Sequence, residues 1–111
     1  MRIAVDFDGT IVEHRYPKIG KTMEGAFEVL HALSQAGHQL ILWTFRSGEY
    51  LDEAVSFCDE RGITFFAVNE NFPGETQAGD FSRLIEADVY IDDRNVGGFI
   101  GWQKVAEIMG V

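Results

Sequence analysis

Apolar residues fall into short unbroken runs and helically spaced stripes, and the two kinds of segment alternate along the chain. Ile3-Ala4-Val5 has no polar interruption and then meets Asp6-Phe7-Asp8-Gly9-Thr10, the pattern of a buried strand closing on a polar turn. Residues 11–22, with His14, Arg15, Tyr16, Pro17 and Gly20, show neither period and predict an excursion or small hairpin. Met23, Ala26, Phe27, Leu30 and Leu33 recur at helical spacing and Gly37 supplies a stop, so an amphipathic helix is predicted over 23–36.

A second unit follows at once. Residues 38–44 read as a mostly buried strand, and Leu51, Ala54, Val55 and Cys58 place an apolar stripe on a helix closed by Gly62. Residues 63–68 predict a third strand, Asn69-Glu70-Asn71 and Pro73-Gly74 a polar loop, and Phe81, Leu84 and Ile85 a short helix. Residues 87–91 form a fourth strand ending in Asp92-Asp93, and Trp102, Val105, Ala106 and Met109 outline a last helix. Such alternation implies right-handed crossovers and a parallel sheet covered on both faces. The expected architecture is a three-layer α/β/α sandwich with a Rossmann-like sheet.

Composition narrows the picture. At 111 residues, 46% of them hydrophobic, the chain fits a single domain over 1–111 and has no room for a second core. Eighteen Asp and Glu against nine Lys and Arg give a net charge of −9, which argues against a nucleic-acid surface and favours metal cations as partners. Cys58 has no partner for a disulfide, so a cytoplasmic location is expected. Acidic residues arrive before any long apolar segment can form, and no run approaches the roughly 18 residues of a membrane span, so neither a signal peptide nor a membrane segment is expected.

In open α/β sheets ligands collect at the carboxyl ends of the strands. Here those ends carry Asp6 and Asp8, Thr44 and Arg46, Asn69 and Glu70, Asp92 and Asp93. Residues two apart on an extended chain point the same way, so Asp6 and Asp8 share one side while Phe7 turns into the packing. If the fourth strand neighbours the first, Asp92 joins them, and three crowded carboxylates need a cation or protons between them. Oxygen ligands with water suit magnesium. An Asp at a strand end often only caps a helix or meets solvent. A strand-terminal Asp-x-Asp followed by Gly-Thr has a more specific use, one carboxylate attacking phosphorus and the other moving a proton.

Asp6-Phe7-Asp8-Gly9-Thr10 after its apolar strand resembles the first motif of the haloacid dehalogenase (HAD) superfamily. Leu40-Ile41-Leu42-Trp43-Thr44 resembles the second, and Val89-Tyr90-Ile91-Asp92-Asp93 the fourth. The resemblance covers nearly the whole chain and implies a small HAD-like phosphatase with no cap domain. It implies an aspartyl-phosphate on Asp6, with Asp8 as general acid to the leaving group and then base for water. It further implies Mg2+ held by Asp6, Asp92 and the Asp8 backbone carbonyl, with Asp93 behind them, and a Thr44 hydroxyl and backbone N–H aimed at a phosphate oxygen.

The third motif departs from the pattern. The superfamily uses a cation there, usually Lys, and this chain has no Lys between Thr44 and Asp92. Of Arg46, Arg61 and Arg83, Arg61 is already explained by the end of its helix, Arg46 reads as a substrate contact or a surface arginine, and Arg83 is assigned to phosphate binding. His14, His31 and His38 lack ligand spacing, and Cys58 reads as core. With an excursion too short to form a lid, the site is expected to be open to phosphorylated small molecules or macromolecules, or to be completed by a homo-oligomer. The competing reading is a phosphate- or metal-binding module that lost turnover with the lysine. A signalling receiver domain would place its acids and a late Lys in an order this chain lacks.

Overall fold

The computed structural model describes residues 1–74 and 86–111. Its elements are β1 (Arg2–Val5), α1 (Ala26–Gln35), β2 (Gln39–Leu42), α2 (Gly48–Glu60), β3 (Ala67–Val68), β4 (Val89–Ile91) and α3 (Trp102–Met109). The four strands pair in parallel in the order β3-β2-β1-β4. The chain steps outward from β1 to β3 and then crosses to the far side of β1. This reversal opens a crevice at the carboxyl ends of β1 and its neighbours, where such sheets bind ligands.

Period-two alternation divides the sheet residues between its faces. Ile3 and Val5 join Leu40, Leu42 and Ile91 in the main core, while Ala4, Ile41 and Ala67 form a smaller cluster on the other face with Trp43, Phe66 and Ala87 packed against it. The apolar stripes of α1, α2 and α3 all enter the main core, through Leu30 and Leu33, Ala54 and Cys58, and Trp102 and Val105. The expected α/β sandwich with a parallel sheet is therefore present, and no cap domain is evident among the described residues. The short helix expected around Phe81, Leu84 and Ile85 lies outside them.

Two expected segments differ in extent or gain detail. Of the strand expected over 63–68, Ala67 and Val68 stand in register with β2 and the Phe66 N–H donates to the Leu40 carbonyl at 2.7 Å, whereas the Ile63 N–H turns back to the Cys58 carbonyl at 3.0 Å and closes α2. The excursion over 11–22 is a hairpin: Val12 bridges Thr22 in antiparallel sense, and the Glu13 N–H donates to the Lys21 carbonyl at 2.7 Å. Ile11 and Val12 are fully buried and anchor it to the core. Among the described residues, no helix is long and apolar enough to cross a membrane.

Candidate active site

Hydrogen bonds that continue the sheet place the site. The Asp6 N–H donates to the Ile91 carbonyl at 3.0 Å, and the Trp43 N–H to the Val5 carbonyl at 2.8 Å. Val5 stands opposite both Leu42 and Ile91, so residues 6, 43 and 92 leave the sheet at one level. There Asp6, Trp43, Thr44, Phe45, Asp92 and Arg94 line a cavity of about 360 Å³. The condition the sequence reading placed on Asp92, that its strand neighbour the first, is met.

Asp6 is half-buried and accepts a 3.4 Å hydrogen bond from the Thr10 hydroxyl. Burial pushes its carboxyl up from 3.8 to about 7, the negative charges of Asp93 and Asp8 add to the rise, and the Phe7 N–H opposes it. Gly9 explains how Asp93 comes so close. It has a φ of +87°, and a Cβ at this position would overlap the Asp93 carboxylate. Only glycine tolerates both the left-handed backbone and that approach. Asp93 is thus the acid that bears most on Asp6, whereas Asp92 faces the cavity and accepts the Arg94 N–H at 3.2 Å.

Asp8 is held differently. Its side chain is fully buried, and its two oxygens accept from Arg46 Nε at 2.8 Å and Nη2 at 2.7 Å. Arg46 is only 1% exposed, so the sequence reading of it as a substrate contact or a surface arginine is corrected. Its other N–H groups reach the carbonyls of Pro17, Lys18 and Tyr50, and its guanidinium lies 5.1 Å from the ring centroids of both Phe7 and Tyr16. The pairing with Asp8 raises the Arg46 pKa further. A planar fork suits this bidentate grip and an ammonium does not. The signal in the sequence was an arginine just past a strand end, on the edge where acids outnumber cations.

Thr44 was expected to offer two donors. Its N–H is taken by Asn69 Oδ1 at 2.7 Å, and its Oγ1 accepts the Arg46 N–H at 3.2 Å, which leaves the hydroxyl hydrogen for the cavity. Asn69 holds that position with a φ of +52°, a conformation asparagine tolerates better than most residues. The neighbouring polar side chains brace backbone as well: Asn71 Oδ1 accepts the Glu86 N–H at 2.6 Å, and Glu70 Oε1 the Gly74 N–H at 3.1 Å.

Arg83, the residue assigned to phosphate, lies outside the described residues. Arg94 was missed, because the superfamily pattern puts the cation before the fourth strand and Arg94 follows it. Among the described residues it is nevertheless the cation that lines the cavity with Asp6, Thr44 and Asp92. Cys58 is buried, and burial pushes its thiol to about 12, in keeping with a core role.

Among the described residues, no three His, Cys, Asp or Glu side chains gather into a metal-binding group. The ligand set implied for magnesium contains only two side-chain carboxylates, Asp6 and Asp92, with a backbone carbonyl as the third. Both carboxylates line the same cavity, and the charges of Asp93 and Asp8 add to the effect of burial in raising the Asp6 pKa. Magnesium usually keeps several waters and binds through one or two carboxylates, so these residues fit it.

The fold is that of an α/β protein with a parallel sheet, and acidic side chains stand at the carboxyl edge of that sheet. No family model matches the chain, and no curated protein matches it. It is similar to a solved structure described as that of the conserved protein coded by a locus from Bacteroides thetaiotaomicron, with 54% identity and a TM-score of 0.92 over 99% of this chain and 89% of that one. The chain belongs to the same family as that protein.

Proposed function

We propose that this protein is a magnesium-dependent phosphohydrolase of the haloacid dehalogenase type. The observation that carries the reading is the meeting of Asp6, Thr44, Asp92 and Arg94 around one cavity, although they come from three separate strand ends. Asp6 is the nucleophile: its oxygen attacks phosphorus, the ester P–O bond breaks, and the leaving oxygen takes a proton from Asp8. Water then attacks the phospho-Asp6, gives its proton to Asp8, and releases inorganic phosphate. Thr44 donates its hydroxyl to a phosphate oxygen, and Arg94 supplies the cationic contact that the missing lysine would make.

Asp6, Asp92 and the Asp8 carbonyl would hold Mg2+, which would neutralise phosphate charge and so let a carboxylate approach an anionic ester. Asp8 accepts from Arg46 through both oxygens as a carboxylate, so it must give up one of those bonds and take up a proton before it can serve as the acid. That clamp also favours a second reading, a module that binds phosphate and a cation without turnover.

Hydrolysis of p-nitrophenyl phosphate by the parent and by Asp6→Asn, each with magnesium and with chelator, separates the two. The enzyme reading requires magnesium-dependent release of p-nitrophenol by the parent and its loss in Asp6→Asn. No release by either protein, with phosphate still bound, supports the module.

A further inference from the structure

We propose that the rim of this cavity is a subsite for a planar ring, so that the preferred substrate is a phosphate monoester whose leaving group carries an aromatic ring. The proposal rests on the phosphohydrolase reading and adds the substrate class. Its basis is a cluster of side chains that proton and phosphoryl transfer do not use. Phe45 follows Thr44 directly and lines the cavity. Tyr16 meets it edge-on at 4.8 Å, His14 lies within 17° of parallel to it at 6.4 Å, and Tyr50 meets Tyr16 at 5.6 Å.

Shelter for the buried Arg46 accounts for Tyr16 but not for Phe45. The rings on the Arg46 guanidinium are those of Phe7 and Tyr16. Phe45 does not take part, and it remains 52% exposed. An exposed phenylalanine held against two other rings at the edge of the cavity offers a surface for stacking, and stacking tolerates any flat π system. The support beneath it is fixed, because Arg46 grips the carbonyls of Pro17 and Lys18 in the hairpin and that of Tyr50 in α2.

Size points the same way. At about 360 Å³ the cavity is near the lower end of the roughly 300–1,000 Å³ typical of ligand sites. A phosphoryl group fills only part of that volume, which leaves room for a ring beside Phe45, with His14 and Tyr16 packed against it. The net charge of −9 disfavours a polyanionic strand and favours a single phosphate. The same ring chemistry is offered by a nucleoside monophosphate and by a phosphotyrosine side chain.

The test compares kcat/KM for adenosine 5′-monophosphate, a phosphotyrosine peptide and glycerol phosphate in the parent, Phe45→Ala and Phe45→Trp. The parent should prefer at least one ring ester over glycerol phosphate by about tenfold or more, the size of one stacking contact. That ratio should collapse in Phe45→Ala and return in Phe45→Trp, and whichever ring ester shows the effect names the source. Equal ratios in all three proteins would overturn the subsite and leave the phosphohydrolase reading intact. If no ester is hydrolysed, that reading fails by itself. The subsite is then decided by calorimetric binding of the same three compounds with magnesium: ring preference lost in Phe45→Ala supports it, and no preference refutes it.

Discussion

Replacing Asp6 by Asn should stabilise the metal-free protein while abolishing turnover. Burial, together with the charges of Asp93 and Asp8, lifts the Asp6 carboxyl from 3.8 to about 7. Below pH 4 the residue is neutral in folded and unfolded chains alike and carries no penalty. Between pH 4 and 7 the unfolded chain has released the proton and the folded one retains it, so parent stability falls as pH rises and levels off above 7. A shift of this size corresponds to at most about 4 kcal/mol. Asp6 is only half-buried, and screening by solvent brings the expected effect to about 2 kcal/mol.

Asn has a similar shape and no charge, and its amide can donate to Asp93. Urea unfolding in chelator should therefore show Asp6→Asn and the parent nearly equal at pH 4 and the variant about 2 kcal/mol more stable at pH 8. On the proposed magnesium site, millimolar magnesium should narrow or invert the gap by binding the folded parent in preference to the unfolded chain. A gap that does not change with pH, or a parent that is the more stable protein at pH 8 in chelator, would refute the reasoning.

Arg46→Ala should lose about 3–5 kcal/mol in urea unfolding, because it strands a fully buried carboxylate, and Arg46→Lys should recover only part of this. Gly9→Ala should cost at least about 2 kcal/mol, from its left-handed backbone and the overlap with Asp93; a stability within about 0.5 kcal/mol of the parent would contradict that geometry. Thr44→Ser should retain most phosphatase activity and Thr44→Val should lose it, as read by p-nitrophenol release, since the hydroxyl is the donor left to the cavity. Cys58 should react with a thiol-specific disulfide reagent at pH 8 at least about 100-fold more slowly in the folded protein than in urea.

Much of this arrangement was legible from residue order because periodicity reports burial directly. The alternation of Ile3-Ala4-Val5 and 38–44 with the stripes at Leu30 and Cys58 gave the parallel sheet, and the Asp-x-Asp-Gly-Thr turn pointed to the edge where the cavity lies. What escaped depended on partners distant in sequence. Nothing near Arg46 announces that its fork closes on Asp8, 38 positions away, and an arginine next to Ser-Gly reads as solvent-exposed. Arg94 escaped for the opposite reason, since a borrowed motif order directed attention upstream of the fourth strand. The Thr44 N–H also looked available until Asn69, from another strand end, took it. Local pattern fixes which face a residue occupies, whereas hydrogen-bond commitments at strand ends are set by the tertiary meeting of loops.

Arg46 gives five hydrogen bonds to one carboxylate and three carbonyls on two separate segments. It thereby welds the hairpin, the first turn of α2 and Asp8 into one rigid block. A residue inserted between Pro17 and Lys18 would pull those carbonyls out of reach and disturb the acid with them. Within the proposed ring subsite, change is thus left to swaps of side chain at Phe45 and the rings packed on it, on a backbone that cannot lengthen without undoing its own clasp.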